Sequence, residues 1–146
     1  MGGSSSINYM VYVRGNKFDY DQWGKGWKYK DIKEYFLKSE SFNETGAKDY
    51  LRKIKEWVKG ANTIVESPAS EYHGKMGGLK VTHPRYFDPL EEINKKFLMA
   101  VEQTKKYPIN LDFNGESQIG FGPYQSTTEN GQRCSAAKAF LHGIVR

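Results

Sequence analysis

Apolar residues fall at helical spacing in three stretches of the chain and alternate with polar ones in two others. Ile32, Tyr35, Phe36 and Ser39 share one face at i, i+3, i+4 and i+7, which predicts a helix over 31–40. A second helix is predicted from about 47 to 59, with Leu51, Ile54, Trp57 and Val58 on one face and Gly60 as its stop. The strongest helical pattern runs from 89 to about 106, where Leu90, Ile93, Phe97, Leu98 and Val101 form an apolar face. Asp88 supplies an N-cap there, Pro89 a first-turn proline, and Pro108 closes the segment. Ser135 reads as the cap of a last helix that reaches about 142.

Residues 78–83 alternate enough for a short strand, and 119–128 read as a strand with glycines where bulges or close backbone contacts fall. Residues 7–13 fit either a short strand or a helical turn, since length and side-chain branching do not separate the two. Gly24 to Gly26 form a break, 61–77 and 110–117 are expected to be loops, and Glu129-Asn130-Gly131 a turn. The fold class is therefore α+β, mixed. Hydrophobic residues are only 38% of the chain and 15 glycines interrupt it, so the core is expected to be small for 146 residues.

The net charge of +5, with a pI near 9.2, raises nucleic acid and acidic membrane surfaces as partners. Most of the excess lies between Lys25 and Lys59, where ten Lys/Arg face six Asp/Glu and Tyr29, Tyr35, Phe36 and Trp57 are interleaved. Acids mixed among the lysines, with no nucleic-acid motif, favour a solvated helix face, so no nucleic-acid partner is expected. No apolar run has the length of a membrane span. Cys134 stands alone, which excludes an internal disulfide and a cysteine zinc site.

The chemistry concentrates in Met1 to Gly15. Gly2 and Gly3 bare the backbone, while Ser4, Ser5, Ser6 and Asn8 add hydrogen-bonding groups beside it. Such a run is either a flexible linker or a loop that holds a flat or charged ligand. Its continuation favours the loop, because a linker does not run straight into the apolar Ile7 to Val13 and then Arg14-Gly15-Asn16-Lys17-Phe18-Asp19-Tyr20-Asp21-Gln22-Trp23.

The run GGSSSINYMVYVRGNKFDYDQW resembles the first signature of the glucose-methanol-choline oxidoreductases, FAD-dependent enzymes that oxidise alcohols, sugars or choline. Further segments are similar in the same order: Gly26-Trp27-Lys28-Tyr29, Tyr72-His73-Gly74, Gly77 to Val81, Asp112-Phe113-Asn114-Gly115, Gly120 to Gln125, and Gly131 to Ala137. Residues 43–70 carry no such landmark. The Rossmann fingerprint G-x-G-x-x-G, the second signature and the catalytic C-terminal histidine have no counterpart in these residues.

The resemblance implies an incomplete part of a two-domain oxidoreductase, with a Rossmann-like FAD-binding domain and a substrate cap, lacking the N-terminal dinucleotide-binding βαβ unit. Residues 1–23 would be the flavin-contacting segment, 24–77 the lid or cap helices with a variable insertion, and 78–146 a strand-helix-strand-helix part of the substrate and cap region. Gly2, Gly3, Ser4 and Asn8 would contact the cofactor, and Tyr9, Met10 and Val11 would present backbone near its ring. Ile7 stands where some relatives carry a histidine that attaches the flavin, so non-covalent FAD is implied. The partners would be an alcohol or sugar substrate, in the manner of glucose dehydrogenases, and an electron acceptor.

None of His73, His83 and His142 matches the family's catalytic histidine, so no catalytic residue is expected here and the isolated piece is expected to be inactive. His73 is expected in a turn or in packing, and Arg133 with Ser135 in an ion-pair or capping role. Phe121, Tyr124 and Gln125 either line a substrate cavity or pack as a strand. No metal site is expected: Asp112, Asn114 and Glu116 lack the other ligands of a calcium loop. The rival reading is a stand-alone, non-enzymatic module that binds an acidic partner through its basic, aromatic surface.

Overall fold

The computed structural model describes residues 2–84 and 88–142. The chain opens with a 3-10 turn, Gly3–Ser6, followed by a two-residue strand β1 (Val11–Tyr12) and a short helix α1 (Lys17–Asp21). Helix α2 (Tyr29–Ser39) runs directly into strand β2 (Glu40–Phe42). Asn43 then accepts a hydrogen bond from the Gly46 N–H and starts α3 (Glu44–Trp57). Next come β3 (Ile64–Val65), the single-turn helix α4 (Ala69–Tyr72), β4 (Leu79–Val81), α5 (Leu90–Thr104) and β5 (Ile109–Asn110). Strands β6 (Gln125–Ser126), β7 (Thr128–Glu129) and β8 (Gln132–Arg133) precede the last helix, α6 (Ala136–Phe140).

The strands form four two-stranded ladders. β1 lies antiparallel to β6 with Val11 opposite Ser126, β2 parallel to β4 with Glu40 opposite Leu79, and β3 parallel to β5 with Ile64 opposite Ile109. β7 and β8 make a hairpin whose turn residues, Asn130 and Gly131, both have positive φ, as a tight right-twisted hairpin requires. Ladders this short have little stability alone, so they depend on the packing around them. That packing is an apolar cluster of Ile54 and Val58 from α3, Leu98 and Val101 from α5, and Ile109 and Leu111, with Tyr50, Leu51, Trp57, Ala61 and Phe121 against it.

The mixed α/β class and the positions of most elements agree with the sequence pattern, and several details differ. The 31–40 stretch is helical only to Ser39; Glu40 turns into β2, a strand the periodicity conceals, and Tyr35 on its expected apolar face is exposed. The 61–77 stretch contains β3 and α4, because Ile64 and Val65 find a parallel partner in β5. The expected cap at Asp88 is not the cap: the helix begins at Leu90 after Pro89, with no side-chain cap bond. On α5, Leu90, Ile93 and Phe97 are more than half exposed, and only Leu98 and Val101 are buried. The 119–128 stretch is paired only at Gln125–Ser126, at Thr128 and at a bridge between Phe121 and Ile109, since its glycines follow the backbone of 108–110 closely. Ser135 does cap the last helix, accepting from the Lys138 N–H at 3.3 Å, but that helix ends at Phe140.

Candidate functional site

The Gly/Ser loop folds back on itself through the Ser4 carbonyl, which accepts from the N–H groups of Ile7 and Asn8 at 3.1 and 2.9 Å. A Cβ on Gly2 would stand 2.7 Å from the Ser6 hydroxyl oxygen, which would have to turn away, and 3.1 Å from Ser135, so the loop packs closely there. Gly3, at φ +60°, has open space where a Cβ would be, so its backbone can be approached closely from outside. Ser4, Ile7, Asn8 and Tyr9 are exposed, Ile7 and Tyr9 almost fully, at 86% and 88%. Ile7 and Tyr9 thus put an apolar edge at the end of the loop.

The loop is braced from behind. One Arg133 nitrogen, Nη1, donates to the carbonyls of Ser5 and Asn8 at 3.2 and 2.8 Å and to Asn8 Oδ1 at 3.0 Å. Ser5 Oγ accepts from the Ala136 N–H at 2.9 Å, which ties the loop to the start of α6. Asn8 Oδ1 also accepts from the Met10 N–H, and the Met10 carbonyl accepts from the Thr127 N–H at 2.8 Å. Both backbone groups of Met10 are therefore engaged inside the protein, and Val11 is engaged in the ladder with Ser126. Both Asn8 oxygens are thus engaged in the bracing, which leaves the NH2 as the remaining polar group of its carboxamide.

Behind β1 lies a buried polar cluster that the sequence pattern does not disclose. Arg14, Glu40, His73, Asp112, Asn114 and Gln125 are all nearly inaccessible to solvent. Arg14 donates through Nη2 to Glu40 Oε2, through Nη1 to the Tyr72 carbonyl, and through Nε to the Tyr12 hydroxyl at 3.2 Å. Glu40 accepts in addition from His73 Nδ1 at 2.9 Å and from the Gly74 N–H at 3.2 Å. The other His73 nitrogen, Nε2, lies 3.0 Å from Asp112 Oδ2. Gln125 Nε2 donates to Asp112 Oδ1 at 2.9 Å, and its oxygen accepts from Asn114 Nδ2 at 2.6 Å. Asn114 returns to the first strand, donating to the Tyr12 carbonyl and accepting from the Arg14 N–H.

A histidine with a carboxylate at each ring nitrogen has acceptors on both sides, and only the imidazolium offers two donors. Burial works against that charge, yet the hydrogen bonds His73 donates to Asp112 and Glu40 outweigh it and raise the His73 pKa above its ordinary value. Asp112 moves the opposite way: burial disfavours its charge, but His73, the Asn114 N–H and Gln125 hold its pKa below the carboxylate norm. His73 is thus an ion-paired tether rather than the turn or packing residue expected of it. Phe42 stacks on its ring at 4.1 Å.

His83 is the opposite case. It is 7% exposed, its ring nitrogens have no hydrogen-bond partner among the described residues, and burial pushes its pKa down to about 4, so it is neutral. The Tyr124 backbone faces it without closing a bond of sound geometry. His83 lines two clefts. One, of about 390 Å³, runs from Phe42 and α3 to Asp112 and Gln125; the other, of about 520 Å³, runs from Tyr9 and Met10 to Tyr124 and the β7–β8 turn. Tyr124 and Gln125 line these clefts, whereas Phe121 packs edge-on against Phe97 and Tyr107. His142 lies exposed at the end of the last helix, apart from both. Among the described residues no group of three or more His, Cys, Asp or Glu is arranged to hold a metal ion, and no helix is long and apolar enough to cross a membrane.

Among the residues expected at the site, Gly2, Gly3, Ser4, Asn8 and Tyr9 share one loop, and Met10 and Val11 carry it into the ladder. Arg14 and Glu40 were invisible as site support in the sequence, since neither carries a spacing signal. Asp112 and Asn114, set aside as an incomplete calcium loop, belong to the buried cluster, while Glu116 is exposed.

These features define a mixed α/β unit whose Gly/Ser loop is held from behind and open in front. The whole chain, residues 1–146, matches the GMC oxidoreductases, and it belongs to that family. It is 38% identical over 149 residues to an "Alcohol dehydrogenase [acceptor]" of Pseudomonas putida, covering 99% of this chain and 22% of that protein. An "Oxygen-dependent choline dehydrogenase" of Brucella anthropi is 36% identical over 150 residues, covering 100% of this chain and 22% of its own length. The fold also superposes on an FAD-dependent oxidoreductase from Chaetomium thermophilum with a TM-score of 0.72 at 27% identity, over 98% of this chain and 23% of that one. The chain therefore spans less than a quarter of the length of these relatives.

Proposed function

We propose that this chain supplies one wall of the FAD site in an oxidoreductase that takes hydride from the CH–OH group of an alcohol or sugar. The observation that carries the reading is the loop itself: Gly3 leaves backbone unshielded, and Ile7 and Tyr9 are bare on the same exposed segment. A planar, partly apolar group with a charged tail fits such a surface; FAD is the group the family supplies, and it would be held non-covalently here because Ile7 has no nucleophile. Gly2, Gly3, Ser4 and Asn8 would meet it, Asn8 through its NH2 group. Tyr9, Met10 and Val11 would follow beside the ring, Met10 and Val11 as a rigid edge rather than as free backbone donors. When bound, the flavin supplies the hydride-accepting chemistry.

The chain's own residues bind and orient. Arg133 and Ser5 fix the loop against α6, and the Arg14–Glu40–His73–Asp112 cluster fixes the strand that follows it. Pre-set loop geometry of this kind lowers the ordering cost of binding and keeps a bound ring in register with its substrate. Neither His73 nor His83 is placed as a base: His73 has both nitrogens committed, and burial pushes the His83 pKa down to about 4. The proton acceptor for alcohol oxidation would come from outside these residues, and the chain alone should not turn over alcohol. Residues 1–23, 24–77 and 78–146 would act together, as flavin-facing segment, cap and substrate side.

The rival module reading needs a free basic surface. Within 25–59, Lys33, Lys48, Lys53, Lys55 and Lys59 each lie within 4 Å of a glutamate, which leaves less positive charge to offer an acidic partner. A chimera tests the proposal: this chain replaces the matching segment of the Pseudomonas putida relative. The expected result is a yellow protein that retains dissociable FAD and reduces a dye with an alcohol, while the 146-residue chain alone does neither. A folded chimera without flavin would overturn the reading.

A further inference from the structure

His73 joins two lines of hydrogen bonds that both end at β1. Through Nδ1 it reaches Glu40, whose Oε2 holds the Arg14 guanidinium. Through Nε2 it reaches Asp112, whose Oδ1 accepts from the Asn114 N–H at 3.1 Å and from Gln125. Asn114 holds the Tyr12 carbonyl and the Arg14 N–H, and Gln125 stands opposite Tyr12 in the β1–β6 ladder. One residue before β1, the Met10 carbonyl accepts from the Thr127 N–H, so the placement of the strand is passed on to the Gly/Ser loop.

Both lines close only around an imidazolium. A neutral ring has one N–H, so one of the two carboxylates, at 2.9 or 3.0 Å, would face a lone pair. The other groups around the ring do not replace the lost proton. Arg14 is committed to Glu40, and burial keeps the Tyr12 hydroxyl beside it protonated. Gln125 Nε2 stands 3.5 Å from His73 Nε2, too far to shield that nitrogen from Asp112; Phe42 stacks without charge, and His83, with its pKa at about 4, is neutral. Glu44, Lys48 and Glu66 share the cleft beside His73, but Glu44 is paired with Lys48 at 2.8 Å and Glu66 with Lys55 at 2.6 Å. Losing the proton therefore leaves the buried cluster with one negative charge in excess, a cost relieved when the ring and a carboxylate move apart. Either movement pulls on Arg14 or on Asn114, and so on β1.

We propose that His73 is a positioning residue for the flavin-facing loop: its protonated form holds β1 and the loop in the shape that receives FAD, and loss of the proton lets that shape relax. The inference rests on the flavin reading above. His73 is buried and acts through Glu40 and Asp112. Its raised pKa puts the change on the alkaline side: the hold is complete below the ordinary histidine value of about 6.5 and is lost as pH rises through the folded value.

The test compares the chimera described above with its Asp112→Asn form. In that variant the amide oxygen keeps the Asn114 and Gln125 bonds and the NH2 faces His73 Nε2, so a neutral ring with its proton on Nδ1 is satisfied on both sides. From about pH 5 to 9 the FAD dissociation constant of the unaltered chimera, read by flavin fluorescence, should rise by about fivefold or more, and should stay level in Asp112→Asn. Amide protection over residues 4–10, followed in the flavin-free chimera and in the 146-residue chain, should fall over the same range and again stay level in the variant. A residue that merely packs would give the two proteins parallel profiles. Parallel profiles, or a level profile in the unaltered protein, overturn the proposal. If Asp112→Asn does not fold, Glu40→Gln takes its place, since its NH2 likewise satisfies a neutral ring. A folded chimera that takes up no flavin would refute the flavin reading instead, and loop protection against pH then decides the positioning role by itself.

Discussion

Replacing Glu40 with glutamine tests the buried cluster at its most constrained point. With His73 protonated, the cluster holds two cations, Arg14 and His73, and two anions, Glu40 and Asp112, linked in alternation. Glu40 is fully inaccessible and receives three donors: Arg14 and the Gly74 N–H at Oε2, and His73 at Oε1. Glutamine has one oxygen and one NH2. The oxygen must keep Arg14 and Gly74, since neither can stop being a donor, so the NH2 is turned on His73 Nδ1. His73 can accept it only by giving up a proton and keeping the other for Asp112. The variant is left with Arg14 and Asp112 as a balanced pair but without the direct Arg14–Glu40 contact.

Removing one partner of a buried ion pair costs about 3–5 kcal/mol when the other is stranded. Because His73 can relieve part of the strain, Glu40→Gln should fall near the lower end, about 3 kcal/mol, and Glu40→Leu near the upper. The pH dependence separates this from a general packing loss. In the native protein the His73 pKa is raised, so its contribution is complete below the ordinary histidine value of about 6.5 and disappears as pH rises through the folded value. In Glu40→Gln, burial persists with one carboxylate fewer, so the folded pKa drops and the alkaline loss should vanish. Urea unfolding followed by tryptophan fluorescence from about pH 5 to 9 gives both numbers. A variant within about 1 kcal/mol of the native chain, with a parallel pH profile, would refute the linked-cluster argument.

Gly122→Ala should prevent folding, because the new Cβ would lie 1.7 Å from the Asn110 carbonyl oxygen, a backbone atom in a strand whose N–H is bonded to the Phe121 carbonyl; loss of the far-ultraviolet helix signal is the readout. Arg133→Ala removes three hydrogen bonds from the Gly/Ser loop and should cost about 1–2 kcal/mol, since the site is half-buried, while amide exchange over residues 4–10 rises by about tenfold or more. Ser135→Ala removes the cap of α6 and should lower stability by about 1 kcal/mol, seen as a lower Tm in a thermal melt.

Much of this was legible before any coordinates. Helical spacing located α2, α3 and α5, and Ser135 announced α6, because these features are set within one turn of the chain. The strands were harder for a physical reason. β2 and β3 are two or three residues long and exist only because β4 and β5 lie beside them, some 40 residues further along. The Gly/Ser loop stood out as a candidate because it departs from both periods at once. Its bracing by Arg133 was partly anticipated, whereas the cluster of Arg14, Glu40 and Asp112 was not, since a charged residue's sequence neighbours say nothing about partners 26 to 100 positions away.

That cluster also bears on why the exposed loop can keep its shape. The apolar core sits between α3, α5 and β5, and none of residues 2–13 belongs to it. An apolar patch beneath the loop would hold it there but would fix its height and rotation only loosely, because apolar contact has no direction. Hydrogen bonds do have direction, and a fully satisfied network specifies one arrangement. Asn114 grips the Tyr12 carbonyl and the Arg14 N–H, Arg14 grips Glu40, and Gln125 joins Asn114 to the strand that pairs with β1. The desolvation cost of burying four charged side chains gains little net stability over an apolar core of equal volume. What it does supply is an angle for β1, and through β1 for the loop, which an apolar replacement of the same size could match in stability without matching in orientation.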